Sequence, residues 1–287
     1  MRLLLAILSL VLASTAALAA PAMWEVRDAD SRVLLFGSVH ALPPDLDWRT
    51  PMFDAALAET DLVYFETDVG PLGMAALTIK VVIAQIQALQ QPWIDRLTSE
   101  QLDKLIAALE PLDISLEQVA AAPPWLASMM IAEAAMRSDP AGGAMDMQSG
   151  VETVLQWELP KERKGYLETP GEQFDLIAGG TIDEQIQQLV LTIEEGGLDG
   201  GAMLSDLVDA WRVGDVDGLV IEPANAADAA LIENLLIQRN RNWLPAIELM
   251  LKDNRENLII VGAAHLAGDG DVLDLLEDAG YTITRIQ

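Results

Sequence analysis

The sequence contains no cysteine and only two histidines among its 287 residues. The missing cysteine excludes disulfide bonds and the lipid-bearing cysteine of a lipoprotein anchor. Basic residues are also few, because 17 lysines and arginines stand against 45 aspartates and glutamates, and the formal net charge is −28. Such a surface lacks the basic footprint that neutralises phosphates, so nucleic acid and anionic membrane surfaces are excluded as partners. Solubility in an exported compartment is the simplest explanation for the charge.

Several common catalytic signatures are absent as well. The sequence has no H-E-x-x-H, no G-x-S-x-G, no P-loop and no G-x-G-x-x-G. The usual zincin, serine hydrolase and nucleotide-binding routes therefore lack their signatures.

Residues 1–20 have the pattern of an export signal. Arg2 precedes a long apolar run, and Ala17 and Ala19 are spaced as in an A-x-A cleavage site. We expect cleavage near Ala19 or Ala20, export to the periplasm and no membrane span afterwards; an uncleaved anchor is the alternative. The remaining residues 21–287 suffice for one large domain or two small ones.

Each histidine follows a glycine by three positions, just after an apolar run. His40 ends V-L-L-F-G-S-V-H, and His265 lies in L-I-I-V-G-A-A-H. An apolar run that stops at glycine indicates a buried strand, so both histidines are predicted just beyond strand ends. Chance explains this shared setting poorly.

The two ends of the chain predict an α/β fold. Trp24–Val26 and Val33–Phe36 indicate an antiparallel hairpin, and helix and strand patterns follow the second run. Strand, G-x-x-H, helix and strand then recur at the C-terminus, so we expect a mostly parallel sheet built from two related βαβ halves, with consecutive strands side by side. The predicted elements of the ends are a helix at Met52–Thr60, a strand at Leu62–Asp68, a helix at Val272–Ala279 and a strand at Tyr281–Ile286.

The middle of the chain is predicted to be largely helical. One domain at 21–287 is expected, with its core at 21–70, 160–170 and 256–287 and helical regions at 71–159 and 171–255. The predicted helices are Met74–Gln90, Ser99–Glu110 with Ser99 as N-cap, Trp125–Met136, Glu172 to about Glu194, Ser205–Arg212, Ala226–Gln238 and Trp243–Lys252. Gly165–Glu168 is a short strand candidate.

Three candidate site residues fall at one edge of this sheet. Ligands of open α/β sheets bind beyond the carboxyl ends of the strands, where His40, Glu66 and His265 are expected to cluster. Strand alternation places Asp68 on the same face as Glu66, which makes Asp68 a weaker candidate.

Three interpretations of this cluster stay open. Two neutral imidazoles and a carboxylate form a three-ligand metal set with open coordination positions. Without metal, one histidine could act as a general base that Glu66 orients. Alternatively, both histidines are hydrogen-bonded core residues.

Six motifs are spread along the chain: W-E-V, V-L-L-F-G-S-V-H, Y-F-E-T-D, L-E-T with Gln173, Q-R-N-R-N-W and I-I-V-G-A-A-H-L-A-G. Through these motifs the chain resembles the TraB/GumN family, which includes the animal Tiki proteases. The resemblance covers nearly all of residues 21–287, and Ser38 stands where the family usually has threonine. It implies an α/β core with two related halves and, for the Tiki branch, a divalent-metal-dependent peptidase with manganese or cobalt; zinc is a further candidate.

Matching by position assigns roles to five residues. His40 and His265 match metal ligands, Glu66 is a third ligand or a catalytic base, and Glu168 is a weaker match. Arg239 would hold a substrate carboxylate or an oxyanion, or else form a structural pair with an acid. We therefore expect an exported metal-dependent hydrolase for a peptide or other small polar substrate; the alternative is a non-catalytic periplasmic protein that binds a peptide or glycan or has a regulatory role.

Overall fold

The structure is a computed structural model that describes residues 19–90, 92–138, 145–194, 200–223 and 226–287. Of the predicted export signal, residues 1–18 lie outside the described residues.

The described residues contain six strands: β1 Met23–Arg27, β2 Arg32–Ser38, β3 Leu62–Phe65, β4 Lys164–Tyr166, β5 Asn257–Gly262 and β6 Thr282–Arg285. They form one mixed, mostly parallel sheet in the order β4-β3-β5-β2-β1-β6. Strands β2, β5, β3 and β4 pair in parallel, whereas β1 is antiparallel to both β2 and β6. The predicted α/β fold and the β1–β2 hairpin are confirmed.

The prediction that consecutive strands of each βαβ unit lie side by side is wrong. Strand β5 lies between β2 and β3, and β6 pairs with β1 instead of β5. The physical reason is burial: Leu258–Val261 is buried on both faces, which suits a central strand, whereas β6 is largely exposed and suits an edge. This topology does not show two related halves.

Helices cover both faces of the sheet. The helices among the described residues are α1 Pro51–Glu59, α2 Pro71–Gln90, α3 Ser99–Leu109, α4 Leu116–Ala120, α5 Pro124–Ser138, α6 Val151–Glu158, α7 Pro170–Ile177, α8 Ile182–Glu194, α9 Gly200–Val213, α10 Ala226–Ile232, α11 Gln238–Lys252 and α12 Val272–Asp278. Phe53 of α1, Leu155 of α6 and Trp211 of α9 share one core with the sheet. Trp243 of α11 and Leu276 of α12 belong to the core on the opposite face. A third apolar cluster joins α3, α5 and α8.

Three local predictions are corrected. The N-cap of α3 is Thr98, one residue earlier than predicted, because Thr98 and Gln101 cap each other reciprocally. The single helix predicted from Glu172 is two helices, α7 and α8, since Gly180 between them has φ +82°. The helices predicted on either side of Arg239 are one continuous run, in which a π-helical turn at Glu233–Ile237 joins α10 to α11.

Helix α2 has an unusual apolar exterior. Among the described residues, its Gly73–Gln90 segment is the one helical stretch long and apolar enough to cross a membrane. The mean hydropathy of this segment is 1.3, and 12% of it is buried. These criteria are length and composition alone. The helix instead packs on α7, where the Lys80 ammonium lies 2.7 Å from Asp175 Oδ1.

Candidate metal centre

The carboxyl ends of four parallel strands meet at one edge of the sheet. Glu66 directly follows β3, and Glu168 lies two residues past β4. His265 lies in a 3₁₀ turn after β5, and His40 lies two residues past β2. The three residues that were predicted to converge at the strand ends therefore lie close together. His265 Nε2 lies 3.7 Å from Glu66 Oε1, and a ring nitrogen of His40 lies within 4.8 Å of a carboxylate oxygen of Glu66.

The glycines of the two G-x-x-H motifs allow close approach at this edge. The Gly262 N–H donates to Glu66 Oε1 at 2.6 Å, and a Cβ at Gly262 would lie 3.1 Å from that oxygen. A Cβ at Gly37 would lie 3.1 Å from the Ala263 backbone. Both glycines thus let the turn that carries His265 and the Glu66 carboxylate come together.

Three side chains could hold one metal ion: His40, Glu66 and Glu152. Each offers a ligand atom, and these atoms all lie within 4.8 Å of one another. Bonds of about 2.0–2.2 Å from nitrogen and carboxylate oxygen place ligands of one ion roughly 3–4.4 Å apart. Small side-chain adjustments therefore suffice, and the donor set fits a divalent cation.

Glu152 was not predicted from the sequence. It lies on α6, and the Val151 N–H donates to Val39 O at 3.1 Å, which docks this helix beside His40. The contact requires Gly150, because a Cβ there would lie 2.0 Å from His40 O. The Ser38 hydroxyl then donates to Glu152 Oε1 at 2.8 Å and fixes the carboxylate.

His265 lies near this group but outside it. Asn240 Nδ2 donates to Gly270 O, so the Asn240 amide oxygen faces His265 Nδ1 at 2.6 Å. We infer that Nδ1 carries the proton and that Nε2 accepts from Arg239 Nη1 at 3.1 Å. A metal ion would need the same Nε2 lone pair that accepts from Arg239. The predicted ligand role of His265 therefore stays a prediction.

Arg239 directs its guanidinium at protein acceptors. Nη2 donates to Glu66 Oε2 and Glu168 Oε1, both at 2.5 Å, and Nε donates to Glu168 Oε2 at 3.1 Å. Nη1 faces Leu235 O and His265 Nε2. This arrangement makes Arg239 a clamp that positions two carboxylates, and its predicted contact with substrate stays a prediction.

The two weaker candidate site residues, Glu168 and Asp68, have different hydrogen-bond partners. Glu168 completes the Arg239 clamp and accepts from Trp243 Nε1 at 3.4 Å. Asp68 accepts from the Gly70 N–H at 2.8 Å and from the Tyr166 hydroxyl at 3.3 Å, and it lies outside the three-residue group.

Trp243 supports the site from α11. Its ring centroid lies 4.5 Å from that of His265, and the Arg239 guanidinium carbon lies 4.8 Å from a Trp243 ring centroid. Arg239 and Trp243 are four positions apart, which places them on one side of the helix. Trp243 and Asn240 both belong to the Q-R-N-R-N-W motif, but no role is predicted for either from the sequence.

The two carboxylates of the three-residue group have opposite electrostatic environments. Burial favours the neutral acid of Glu66, but His265 and Arg239 outweigh it and lower the pKa of Glu66 to about 2. Burial, reinforced by the negative charge of Glu66, raises the pKa of Glu152 to about 7. Two adjacent acids with such different pKa values are typical of functional sites.

The pKa of His265 also follows from burial. Desolvation lowers it to about 4 against the opposing attraction of Glu66. The ring is therefore neutral near pH 7, in agreement with one donated and one accepted hydrogen bond.

Comparison with known proteins identifies the family. No curated protein and no solved structure matches the chain. The model of the TraB/PrgY/gumN family matches residues 22–285, nearly the whole sequence, and the chain therefore belongs to the TraB/PrgY/gumN family.

Proposed function

We propose that the chain is an exported, divalent-metal-dependent hydrolase that acts on peptides, with His40, Glu66 and Glu152 as the metal ligands. The observation that carries the proposal is the convergence of these three ligand atoms within 4.8 Å. Three protein ligands leave coordination positions open, as in catalytic metal sites.

The donor chemistry supports a borderline or hard divalent cation. One imidazole and two carboxylates suit manganese, cobalt or zinc, and the chain has no cysteine thiolate to favour a softer ion. When bound, such an ion supplies Lewis acidity that polarises a carbonyl group.

The chain's own residues hold the ligands in place. The Gly262 N–H and Arg239 fix the two oxygens of Glu66, and the Ser38 hydroxyl fixes Glu152. The exposed His40 ring, with 58% of its side chain accessible, opens the group to solvent and substrate. Rigid strand ends and hydrogen-bonded ligands supply the preorganisation that hydrolysis requires.

The proposed peptide substrate and the proposed periplasmic location are supported by the sequence. The likeness of the chain's motifs to the Tiki branch favours peptide bonds, and the signal-like pattern of residues 1–20 favours the periplasm.

The test compares metal binding and peptide hydrolysis in matched variants. Manganese, cobalt and zinc would each be titrated into the metal-stripped wild type, His40→Ala, Glu66→Gln and Glu152→Gln. Asp68→Asn is the control, because it also neutralises a carboxylate near β3 but lies outside the group. We expect the three group variants to lose at least about tenfold in metal affinity and the control to keep it.

Peptide cleavage then separates the two functional classes. Hydrolysis of a quenched-fluorescent peptide library that requires added metal and disappears in Glu152→Gln supports the proposal. Metal binding without hydrolysis of any peptide would favour the non-catalytic binding protein. A wild type that binds none of the three ions would exclude the metal site itself.

A further inference from the structure

The outer face of α2 carries an apolar stripe, which we define as Ile79, Val82, Ile83, Ile86 and Leu89. Their exposures are 64%, 46%, 50%, 51% and 63%, so each is about half exposed or more. The spacing places all five on one side of the helix. The opposite side packs on α7, where the Lys80 ammonium donates to Asp175 and to Gly171 O.

This stripe is large enough to need a partner. Five half-exposed branched side chains leave several hundred Å² of contiguous apolar surface, about the size that marks an interaction site on a soluble protein. Two such faces pressed together would bury on the order of 1,000 Å², the lower range of a specific interface.

We propose that a second copy of this chain covers the stripe, so that two α2 helices pair about a two-fold axis. Ile79, Val82, Ile86 and Leu89 are spaced by three, four and three residues, the spacing of a helix-pairing seam. This spacing is the same in either direction. An antiparallel pair therefore places Ile79 against Leu89 of the other copy and Val82 against Ile86, as an isologous interface requires.

The distribution of charge makes α2 the face at which a second copy meets least repulsion. Copies with a net charge of −28 repel one another, yet residues 69–94 contain no aspartate or glutamate and form the longest acid-free stretch after the signal pattern. Pairing through α2 thus brings together two helices that carry no carboxylate of their own.

A membrane is the less suitable occupant. Helices that lie in a membrane surface carry lysines and arginines beside the apolar face. The sole cation of α2, Lys80, is already bound to α7. The acidic chain is also repelled by anionic headgroups.

The main test measures the mass of the full chain in solution by light scattering and sedimentation at several concentrations. We expect a dimer for the wild type and at least about a tenfold weaker dimer for Ile86→Glu, because the change buries a charge from each copy. Ile106→Glu on α3 is the matched control, since Ile106 is 46% exposed and receives the same charge. It should leave the dimer intact.

A second measurement does not depend on a charged variant. Because the chain has no cysteine, Ile83→Cys near the proposed axis should cross-link two copies under mild oxidation, whereas Ile106→Cys should not. Thermal melting of each variant checks that the fold is kept.

Three results would overturn the proposal. One is a monomeric wild type at all concentrations, and another is equal behaviour of the two glutamate variants. The third is a monomer that binds phosphatidylcholine vesicles through the stripe and loses this binding in Ile86→Glu. Each outcome leaves the metal proposal untouched, because this inference does not depend on it.

Discussion

The two histidines share one sequence motif but differ in their surroundings. His40 has 58% of its side chain exposed, and only Glu152 of the described acids lies within ion-pair range of it. His265 is 3% exposed and hydrogen-bonded through both ring nitrogens. Of the three interpretations the sequence allowed, a hydrogen-bonded core residue fits the contacts of His265, whose ligand role stays a prediction, and a metal ligand is the role we propose for His40.

We predict that alanine substitutions will separate these roles. His265→Ala should lower the free energy of unfolding by about 1–3 kcal/mol, because Arg239 Nη1 and Asn240 Oδ1 lose a buried partner. His40→Ala should change stability by no more than about 0.5 kcal/mol, since the side chain is mostly solvated. Urea denaturation of the metal-free proteins measures both values.

Metal titration of the same two variants completes the comparison. We expect His265→Ala to keep most of the metal affinity and His40→Ala to lose it. Loss of binding in His265→Ala with an unchanged free energy of unfolding would instead make His265 the ligand.

Asp271 supplies a pH-dependent contribution to stability. Its carboxylate caps α12 by accepting from the Asp274 N–H at 2.7 Å. Burial outweighs that hydrogen bond and raises the pKa of Asp271 from 3.8 to about 6. The folded protein therefore binds this proton more tightly than the unfolded chain does, and its contribution to stability is lost as pH rises from about 4 to about 6.

Asp271→Asn should remove this pH dependence, because asparagine caps helices as well as aspartate but carries no charge. We expect the variant to gain about 1–2 kcal/mol relative to the wild type between about pH 4 and pH 7, less than a shift of two pKa units would give for a fully buried group. Denaturation at both pH values measures the gain. A constant difference between the two proteins would mean that the carboxylate is solvated.

Among the elements, the docking of α6 against the end of β2 decides whether the three-residue group exists. A Cβ at Gly150, the residue before α6, would lie 2.0 Å from His40 O, whereas a Cβ at Gly171 in α7 would meet nothing closer than the flexible end of Lys80 at 3.4 Å. We predict that Gly150→Ala will lower the free energy of unfolding by about 1–3 kcal/mol, because backbone must move to admit the methyl group.

The same substitution should weaken metal binding at least about tenfold by shifting Glu152 from His40. Gly171→Ala is the control and should alter neither quantity much. Calorimetric titration and urea denaturation measure the two effects. Full metal affinity in a folded Gly150→Ala protein would show that the position of α6 does not define the site.

The positions of the histidines at strand ends could be predicted from the sequence, but the docking of helix α6 beside them could not. The apolar runs before Gly37 and Gly262 predicted buried strands, so His40 and His265 could be placed at strand ends. Glu152 is more than a hundred positions from His40, and its approach depends on the Val151–Val39 contact, which leaves no local pattern. Strand order was likewise not predictable, because apolar alternation identifies a strand but not its neighbours.

At the scale of the whole molecule, one exposed apolar helix, α2, lies in a stretch of chain without acidic residues. The net charge is −28, yet the longest acid-free stretch coincides with the exposed helix α2. Helices α2 and α7 begin shortly after Glu66 and Glu168, so the proposed dimer face and the proposed metal site extend from adjacent strands. An interface there would restrain the helices that border the site.

We predict that the N-terminal signal pattern is removed from the exported protein. Residues 1–20 have the pattern of a cleavable signal, whereas Ala20 and Ala22 are already buried and the Met23 N–H donates to Gln287 O at 3.5 Å. A signal peptidase needs an accessible cleavage site, so we expect cleavage before the chain folds and a mature N-terminus near Ala20 or Pro21. N-terminal sequencing of periplasmic material measures this directly, and Ala17→Leu with Ala19→Leu is the control that should block processing. Protein that begins at Met1 and sediments with membranes would show that the segment is an anchor and that the predicted location is wrong.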